Sequence, residues 1–108
     1  MKTISLLAVA LGLGGCSMTL PVQGQSVAGD ETFTGSATGE MDGSGTLTIT
    51  SSRGLKCTGT FVYETRRSGA GTFVCTNGKS GPFTFVSSGT RGTGTGNIGG
   101  RAFTFTFG

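Results

Sequence analysis

Residues 57–75, with the sequence CTGTFVYETRRSGAGTFVC, decide how this chain folds. They form two runs of alternating side chains separated by a short polar segment, which predicts two strands joined by a tight loop. If the chain reverses at Arg66, every aromatic residue of one strand lies opposite a glycine of the other. The resulting pairs are Cys57 with Cys75, Gly59 with Phe73, Phe61 with Gly71, and Tyr63 with Gly69. A glycine opposite a ring offers bare backbone for the ring to rest on, and this fixes the strand register.

The composition of the 108 residues favours a sheet over helices. Twenty-two glycines and eight phenylalanines accompany many threonines, and the last two types are enriched in strands. The alternation of threonine with aromatic residues is too regular for a disordered low-complexity chain. The net charge of +3 is too small to indicate a nucleic-acid partner. We therefore expect one small β domain.

The N-terminus has the features of a signal that is removed. A short basic start precedes an apolar run over residues 4–13, which is too short to span a bilayer as a stable helix. The run ends in Leu13-Gly14-Gly15-Cys16, which resembles the lipobox of bacterial lipoproteins. The resemblance implies a diacylglyceryl group on the Cys16 sulfur, cleavage before Cys16, and acylation of the new amino group, for example with palmitate. An ordinary secretory signal and a transmembrane anchor are the alternatives.

The lipobox also predicts where the protein resides and how it is divided. Several acyl chains hold a protein durably on a membrane, since each buried methylene contributes about 0.8 kcal/mol. Ser17, rather than aspartate, follows the cysteine, which resembles the enteric-type sorting signal for the outer membrane. Pro21 and its small polar neighbours show no sustained period. We expect a signal peptide over 1–15, a lipidated flexible tether over 16–30, and a β domain over 31–108 facing the periplasm.

Two cysteines remain once Cys16 carries lipid. Cys57 and Cys75 then lie in an oxidising compartment, which predicts a disulfide between them. The bridge closes a loop of about 18 residues and stabilises the domain by roughly 3 kcal/mol in the chain-entropy model. A metal-binding or catalytic role is disfavoured because the chain has no histidine, and two thiols cannot complete a tetrahedral zinc site. We expect no metal and no cofactor.

The rest of the chain repeats the same two motifs, Gly-x-Gly-Thr and aromatic-Thr-aromatic or aromatic-Thr-Gly. They predict seven strands, at about 31–38, 43–51, 56–64, 69–76, 81–87, 92–98 and 101–107. The Gly69-x-Gly71-Thr72 motif, followed by Asn77-Gly78, resembles the MORN repeat over residues 31–105. The resemblance implies an all-β antiparallel meander in a curved sheet, with a weaker implication of lipid and scaffold roles. The alternative is a small closed barrel.

The same alternation predicts registers, turns and two unlike faces. The expected pairs are Phe33 with Ile49, Gly35 with Leu47, Gly45 with Phe61, Leu47 with Gly59, Ile49 with Cys57, Phe83 and Phe103 with Gly96, Phe85 and Phe105 with Gly94, and Phe107 with Gly92. Gly89-Thr90 and Gly99-Gly100 suit two-residue turns. A three-residue loop after Cys75, with a bulge, keeps the rings on one face. The other face carries threonines 32, 34, 46, 48, 50, 58, 60, 72, 84, 93, 95, 104 and 106.

The sequence favours binding or structural work over catalysis. Without histidine the usual serine triad is excluded, and a Ser-Lys dyad has no supporting spacing. Loop carboxylates such as Glu40 and Asp42 are usually only solvated. We expect a non-enzymatic envelope lipoprotein with a structural or protein-interaction role. The alternative is a binding module for an anionic or glycan envelope component such as lipopolysaccharide, phospholipid head groups or peptidoglycan. Its candidate contacts, at the two ends of the meander, are Arg53, Lys56, Lys79 and Arg101, and Arg66, Arg67 and Arg91.

Overall fold

A computed structural model describes residues 17–108 as eight antiparallel β-strands. The strands are β1 Ser17–Ser26, β2 Thr32–Glu40, β3 Ser44–Ser51, β4 Lys56–Tyr63, β5 Ser68–Cys75, β6 Ser80–Ser88, β7 Arg91–Ile98 and β8 Arg101–Phe107. The all-β meander is confirmed, and the seven predicted strands correspond to β2–β8. Among the described residues, no helix is long and apolar enough to cross a bilayer.

The sheet closes on itself. Each strand pairs with the next along the chain, and β1 also pairs with β8, so the eight strands form a closed barrel. The closing register runs from Val22 opposite Phe107 to Ser26 opposite Phe103. Closure satisfies the backbone groups that an open sheet exposes along its edges. Of the two architectures expected from the sequence, the structure therefore has the closed barrel.

The first strand corrects the prediction of a flexible tether. Residues 17–26, placed in that tether by their irregular composition, form β1 and pair over nine positions with β2. Pro21 is tolerated because it lies where the β1–β8 ladder ends: Val22 is the last residue of β1 in that register, and beyond it the Pro21 carbonyl oxygen accepts a hydrogen bond from the Gly108 amide at 3.0 Å. The predicted signal peptide (1–15) and lipidation site (Cys16) lie outside the described residues.

The aromatic face fills the barrel and the threonine face covers it. All thirteen threonines expected on the outer face are exposed, and every phenylalanine except the half-buried Phe107 is buried. Phe73 and Phe83 meet at the centre with ring centroids 4.5 Å apart. Each buried phenylalanine contributes about 1.5–3 kcal/mol, so these rings supply a large part of the stability of the fold.

The central hairpin has the predicted register. Cys57 lies opposite Cys75, and the two sulfurs form a disulfide. The predicted pairs of β3 with β4, β6 with β7 and β7 with β8 are confirmed as well. The registers hold because a Cβ on the facing glycine would overlap the ring: at Gly59 it would lie 2.9 Å from Cδ1 of Phe73, and at Gly96 it would lie 2.7 Å from Cζ of Phe103.

The register between β2 and β3 differs from the prediction by two residues. Phe33 lies opposite Ser51, not Ile49, and Gly35 lies opposite Ile49, not Leu47. The connection fixes this offset, because a three-residue loop ends at Gly43, whose φ of 88° favours glycine. A shift of two keeps each side chain on its predicted face.

The remaining turns follow the sequence. The loop after Cys75 spans three residues, and Gly78 has a φ of 85°, as in a hairpin that ends in a glycine bulge. Gly99 and Gly100 both have positive φ, as a type I′ turn requires, and β6 and β7 are joined by the expected two residues. These turns place both aromatic strands, β6 and β8, with their rings inward.

Candidate functional site

The two ends of the barrel differ in chemistry. One end, called here the open end, carries Ser17 and the connections at 41–43, 64–67 and 89–90. The other, called here the closed end, carries the connections at 27–31, 52–55, 76–79 and 99–100. The open end leads into a cavity of about 350 Å³ lined mostly by apolar side chains. Pockets of this size and character are the usual binding places for small ligands.

The cavity exists because β2 presents small residues to the barrel interior near the open end. Ala37 and Gly39 occupy the inward positions that follow Phe33 and Gly35. A Cβ built on Gly39 meets no atom within 4 Å, whereas a Cβ on Gly45 of the next strand collides with Phe61. The space beside Gly39 is therefore empty, and no neighbouring ring fills it.

The opposite wall consists of aromatic rings held edge to face. The ring centroids of Phe85 and Phe107 lie 5.9 Å apart, and those of Phe61 and Phe85 lie 5.2 Å apart. Tyr63 packs on Phe85 at 5.1 Å and donates its hydroxyl hydrogen to Oγ of Ser87 at 3.2 Å. Rings in such pairs hold one another in place, and the one phenol already has a partner. The wall presents a fixed apolar surface to a ligand.

The rim of the open end exposes two methionines beside its charged residues. Met41, in the connection between β2 and β3, is 81% exposed, and Met18 of β1 is 53% exposed. Both methionines and the ring of Phe107 border the cavity. Methionine is flexible and polarizable, and it is common at surfaces that bind apolar partners of varied shape.

The closed end is tied together by charges. Oδ1 of Asp30 accepts a hydrogen bond from Arg101 at 2.6 Å, and Oδ2 accepts one from Arg53 at 3.0 Å. The hydroxyl of Ser26 donates to the same carboxylate at 2.8 Å. These bonds, first from Ser26 and then from Arg101, lower the pKa of Asp30 to about 2. The cluster joins two connections, 27–31 and 52–55, to the last residue of β1 and the first residue of β8.

The seven candidate contacts for anionic ligands lie at the two ends, as the sequence predicted. At the closed end Arg53 and Arg101 already bind Asp30, while Lys56 and Lys79 stand nearby and are exposed. At the open end the exposed residues are Arg66, Arg67 and Arg91, which share the rim with Glu40, Asp42 and Glu64. That these residues contact an anionic ligand stays a prediction.

Two other hollows are less suited to a small apolar ligand. One, of about 400 Å³, lies at the closed end beside Arg53, Lys79 and Arg101, and is lined by polar and apolar atoms about equally. The other, of about 840 Å³, is a groove on the outer surface, lined largely by threonines of β6–β8 and by Gln23 and Gln25 of β1. It lies on the outside of the strands and is more open to solvent than the cavity, so we favour the open end as the site.

Comparison with known proteins identifies the fold and goes no further. No protein-family model matches the chain, and no curated protein matches its sequence. The chain shares its fold with designed β-barrels. A redesigned barrel, mFAP1, solved bound to DFHBI, has a TM-score of 0.65 at 15% identity, covering 82% of this chain and 90% of that chain. A second structure, a fluorescence-activating β-barrel designed de novo, has a TM-score of 0.64 at 15% identity, covering 82% of this chain and 88% of that chain.

Sequence reasoning missed the residues that build the cavity. Met18 and Leu20 line it from β1, a strand that the sequence analysis treated as a tether. A signal was present, because Leu20, Val22 and Gly24 alternate with polar or exposed residues, as in a half-buried strand. Ala37 and Gly39 do not by themselves indicate a cavity in the sequence. A cavity forms where small inward side chains are not compensated by larger ones from neighbouring strands.

Proposed function

We propose that this protein is a lipid-anchored barrel of the bacterial envelope that binds an apolar, acyl-bearing ligand at its open end. The observation that carries the proposal is the cavity of about 350 Å³, with small residues on β2 and a wall of aromatic rings opposite. Apolar ligands gain free energy roughly in proportion to the area they remove from water. We propose no catalytic role: the chain has no histidine, and Asp30 and Asp42 already accept hydrogen bonds.

The position of the cavity supports a role at a membrane. The resemblance to a lipobox implies a lipid on Cys16, and the next residue, Ser17, lines the cavity. The lipid anchor and the apolar opening would then share one end of the barrel. With the anchor in the outer membrane, as the residue after Cys16 implies, the opening would face the inner leaflet from the periplasm.

Three arginines of the open end suit an amphipathic ligand with an anionic head group, although Glu40, Asp42 and Glu64 share the same rim. Arg66 and Arg67 lie in the connection between β4 and β5, and Arg91 begins β7. All three are exposed at the rim, where a head group would remain after an acyl chain enters. Such a ligand fits one of the alternatives drawn from the sequence, a binding module for phospholipid or lipopolysaccharide. In this proposal the barrel recognises the acyl chain of the ligand.

A barrel of this fold can hold a small molecule. A redesigned barrel of the same fold, mFAP1, was solved bound to DFHBI. At 15% identity the likeness concerns the backbone alone, so the ligand proposed here rests on the residues of this chain.

A structural or protein-interaction role is the second candidate. The outer surface carries three exposed valines, Val62, Val74 and Val86, on the neighbouring strands β4, β5 and β6. Apolar side chains on an otherwise polar outer face are where a protein partner would gain most by docking. Cross-linking in intact envelopes would distinguish the two: recovered proteins favour the scaffold, and recovered lipid favours the binding module.

Titration with a fluorescent fatty acid tests the first candidate. The non-lipidated chain from residue 16, with Cys16→Ser, is titrated with cis-parinaric acid, and we expect saturation at one ligand per barrel. Gly39→Leu places a side chain into the empty space and abolishes binding, whereas Thr46→Leu, on the outer face of β3, retains it. Absence of saturation, or equal binding by Gly39→Leu and the unsubstituted barrel, would refute the proposal.

A further inference from the structure

We infer that the hollow of about 400 Å³ at the closed end is a binding site for an apolar α-amino acid, which is a small zwitterion. The hollow and the cavity for the acyl chain lie at opposite ends of the barrel, so this inference does not depend on the function proposed above. A buried carboxylate, a guanidinium group beside it and an apolar floor carry the inference.

The carboxylate belongs to Glu31, the residue that precedes β2. Its side chain is only 9% exposed, and it lines the hollow. Among the described residues no donor forms a hydrogen bond with this carboxylate, and its one cationic neighbour is Nη2 of Arg101, 3.7 Å from Oε1. Both oxygens remain accessible, because the described part of the chain has no fully enclosed side-chain oxygen without a partner. Burial of a carboxylate is costly without hydrogen bonds, and an ammonium group would supply three donors.

The guanidinium group belongs to Arg101, the first residue of β8. Its Nη2 donates a hydrogen bond to Oδ1 of Asp30 at 2.6 Å, and the hydroxyl of Ser26 donates to the same oxygen at 2.8 Å. These bonds hold the guanidinium group at the edge of the hollow. A guanidinium group has five N–H donors, so others remain for a ligand, and a carboxylate is the acceptor that fits them best. The wall of the hollow thus carries an acceptor and a donor side by side.

The spacing of these two charges selects the class of ligand. An α-amino acid carries its ammonium and carboxylate groups on one carbon atom, so its two charges are close together, as those of Glu31 and Arg101 are. In a head-to-tail arrangement each charge of the ligand meets the opposite charge of the protein. A simple anion at Arg101 would lie beside the Glu31 carboxylate and be repelled, and a simple amine at Glu31 would be repelled by Arg101.

Lys79 adds a positive charge to the rim of the hollow. Its stem packs over Gly99, where a Cβ would lie 2.5 Å from Cδ of Lys79. Unlike Arg53 and Arg101, Lys79 makes no salt bridge with any described residue. Its ammonium group can therefore contact the ligand carboxylate together with Arg101.

The floor of the hollow is apolar. The rings of Phe33 and Phe103 line it with their centroids 5.7 Å apart, and Leu55 and Ile98 also belong to the lining. Phe33 is the next inward residue after Glu31, so a ligand held by its charged groups places its side chain over these rings. An apolar side chain gains free energy there in proportion to the area that it covers, which favours leucine over glycine.

Calorimetric titration of the non-lipidated barrel with L-leucine and three relatives tests the inference. N-acetyl-leucine lacks the ammonium group, leucinamide lacks the carboxylate, and glycine lacks the apolar side chain. We expect one leucine per barrel, and binding of each relative weaker by about 10-fold or more, since each loses a charged or an apolar contact. Glu31→Gln should weaken leucine binding to a similar extent. The matched control Glu64→Gln, in the exposed connection between β4 and β5, should leave it unchanged.

Several outcomes would overturn the inference. Leucine that fails to saturate the barrel shows that the hollow is not such a site, and N-acetyl-leucine that binds as tightly as leucine shows a site for simple anions instead. A folded Glu31→Gln barrel that binds leucine as tightly as the parent removes the role of the carboxylate. If circular dichroism shows that this variant does not fold, the four ligands decide alone. Leucine binding that is lost in saturating cis-parinaric acid would place leucine in the open-end cavity and also overturn the inference.

Discussion

Alanine substitution of single glycines separates the contacts that hold the barrel from the space that makes its cavity. Gly71→Ala places a Cβ 2.5 Å from Cζ of Phe83 and against the carbonyl oxygen of Thr60. Phe83 is 1% exposed, so the ring has no free volume to move into. Overpacking of this kind costs about 1–3 kcal/mol. For a domain of this size the melting temperature falls by about 4–8 °C per kcal/mol, so we expect a decrease of roughly 5–20 °C.

Gly39→Ala is the matched control. It adds the same methyl group to an inward position near the end of β2, where no atom lies within 4 Å. The substitution restricts the unfolded chain and should stabilise the barrel by about 0.4–1 kcal/mol. Gly59→Ala should fall between the two, because its nearest contact is a ring atom of Phe73 at 2.9 Å, and side chains yield more readily than backbone.

Urea denaturation followed by circular dichroism measures the three free energies of unfolding, provided that the m-value is unchanged. The predicted order of stability is Gly39→Ala, then Gly59→Ala, then Gly71→Ala. If Gly71→Ala is as stable as Gly39→Ala, rings do not rest on bare backbone, and the explanation of the register is wrong.

Three further predictions concern the disulfide, the closed end and the first strand. Replacing Cys57 and Cys75 together with serine should cost about 3 kcal/mol, and dithiothreitol should lower the melting temperature of the parent but not of the variant. The depressed pKa of Asp30 contributes stability that is present above about pH 3.8 and lost as the pH falls towards about 2, so Asp30→Asn should flatten the acid decline in melting temperature. An equal acid decline in both proteins would contradict this. Deleting residues 17–26 should prevent cooperative folding, because it opens the barrel at β2 and β8; a flexible tether could be removed without loss.

The hairpin of β4 and β5 could be predicted because all its determinants are local. A ring opposite each glycine, a polar loop and two cysteines in register agree on one pairing, and the structure shows it. The β2–β3 pair has fewer such constraints, since Gly35 accepts either Leu47 or Ile49 as a neighbour. There the register depends on the loop Met41-Asp42-Gly43, where the Asp42 carboxylate accepts a hydrogen bond from the Ser44 amide at 3.0 Å.

Three of the connections between strands have the same loop conformation, and a glycine at the same position of each loop marks it in the sequence. In each, the chain reverses over three residues, 41–43, 52–54 and 76–78, and the last of them is a glycine with positive φ: Gly43, Gly54 or Gly78. One further residue, Leu55 or Lys79, precedes the next strand in the second and third. Recognition of this shared loop would have given the β2–β3 register directly. The closure by β1 was harder to see, because its pairing partners lie in β2 and at the far end of the chain.

The cavity could not be predicted from the sequence alone. Periodicity shows which residues face inward, but the volume they leave depends on which strands meet across the barrel. Ala37 and Gly39 bound an empty space only because the ring of Phe61 lies over Gly45, on the next strand, and leaves the space beside them unfilled.

The binding of an acyl chain at the open end is tested most directly by amide chemical shifts of the non-lipidated barrel during titration with a fatty acid. The account predicts that the changes concentrate at Leu20, Gly39 and Phe107, around the cavity. Changes confined to Gly54, Asn77 and neighbouring turns of the closed end, or spread along the outer threonines, would contradict it.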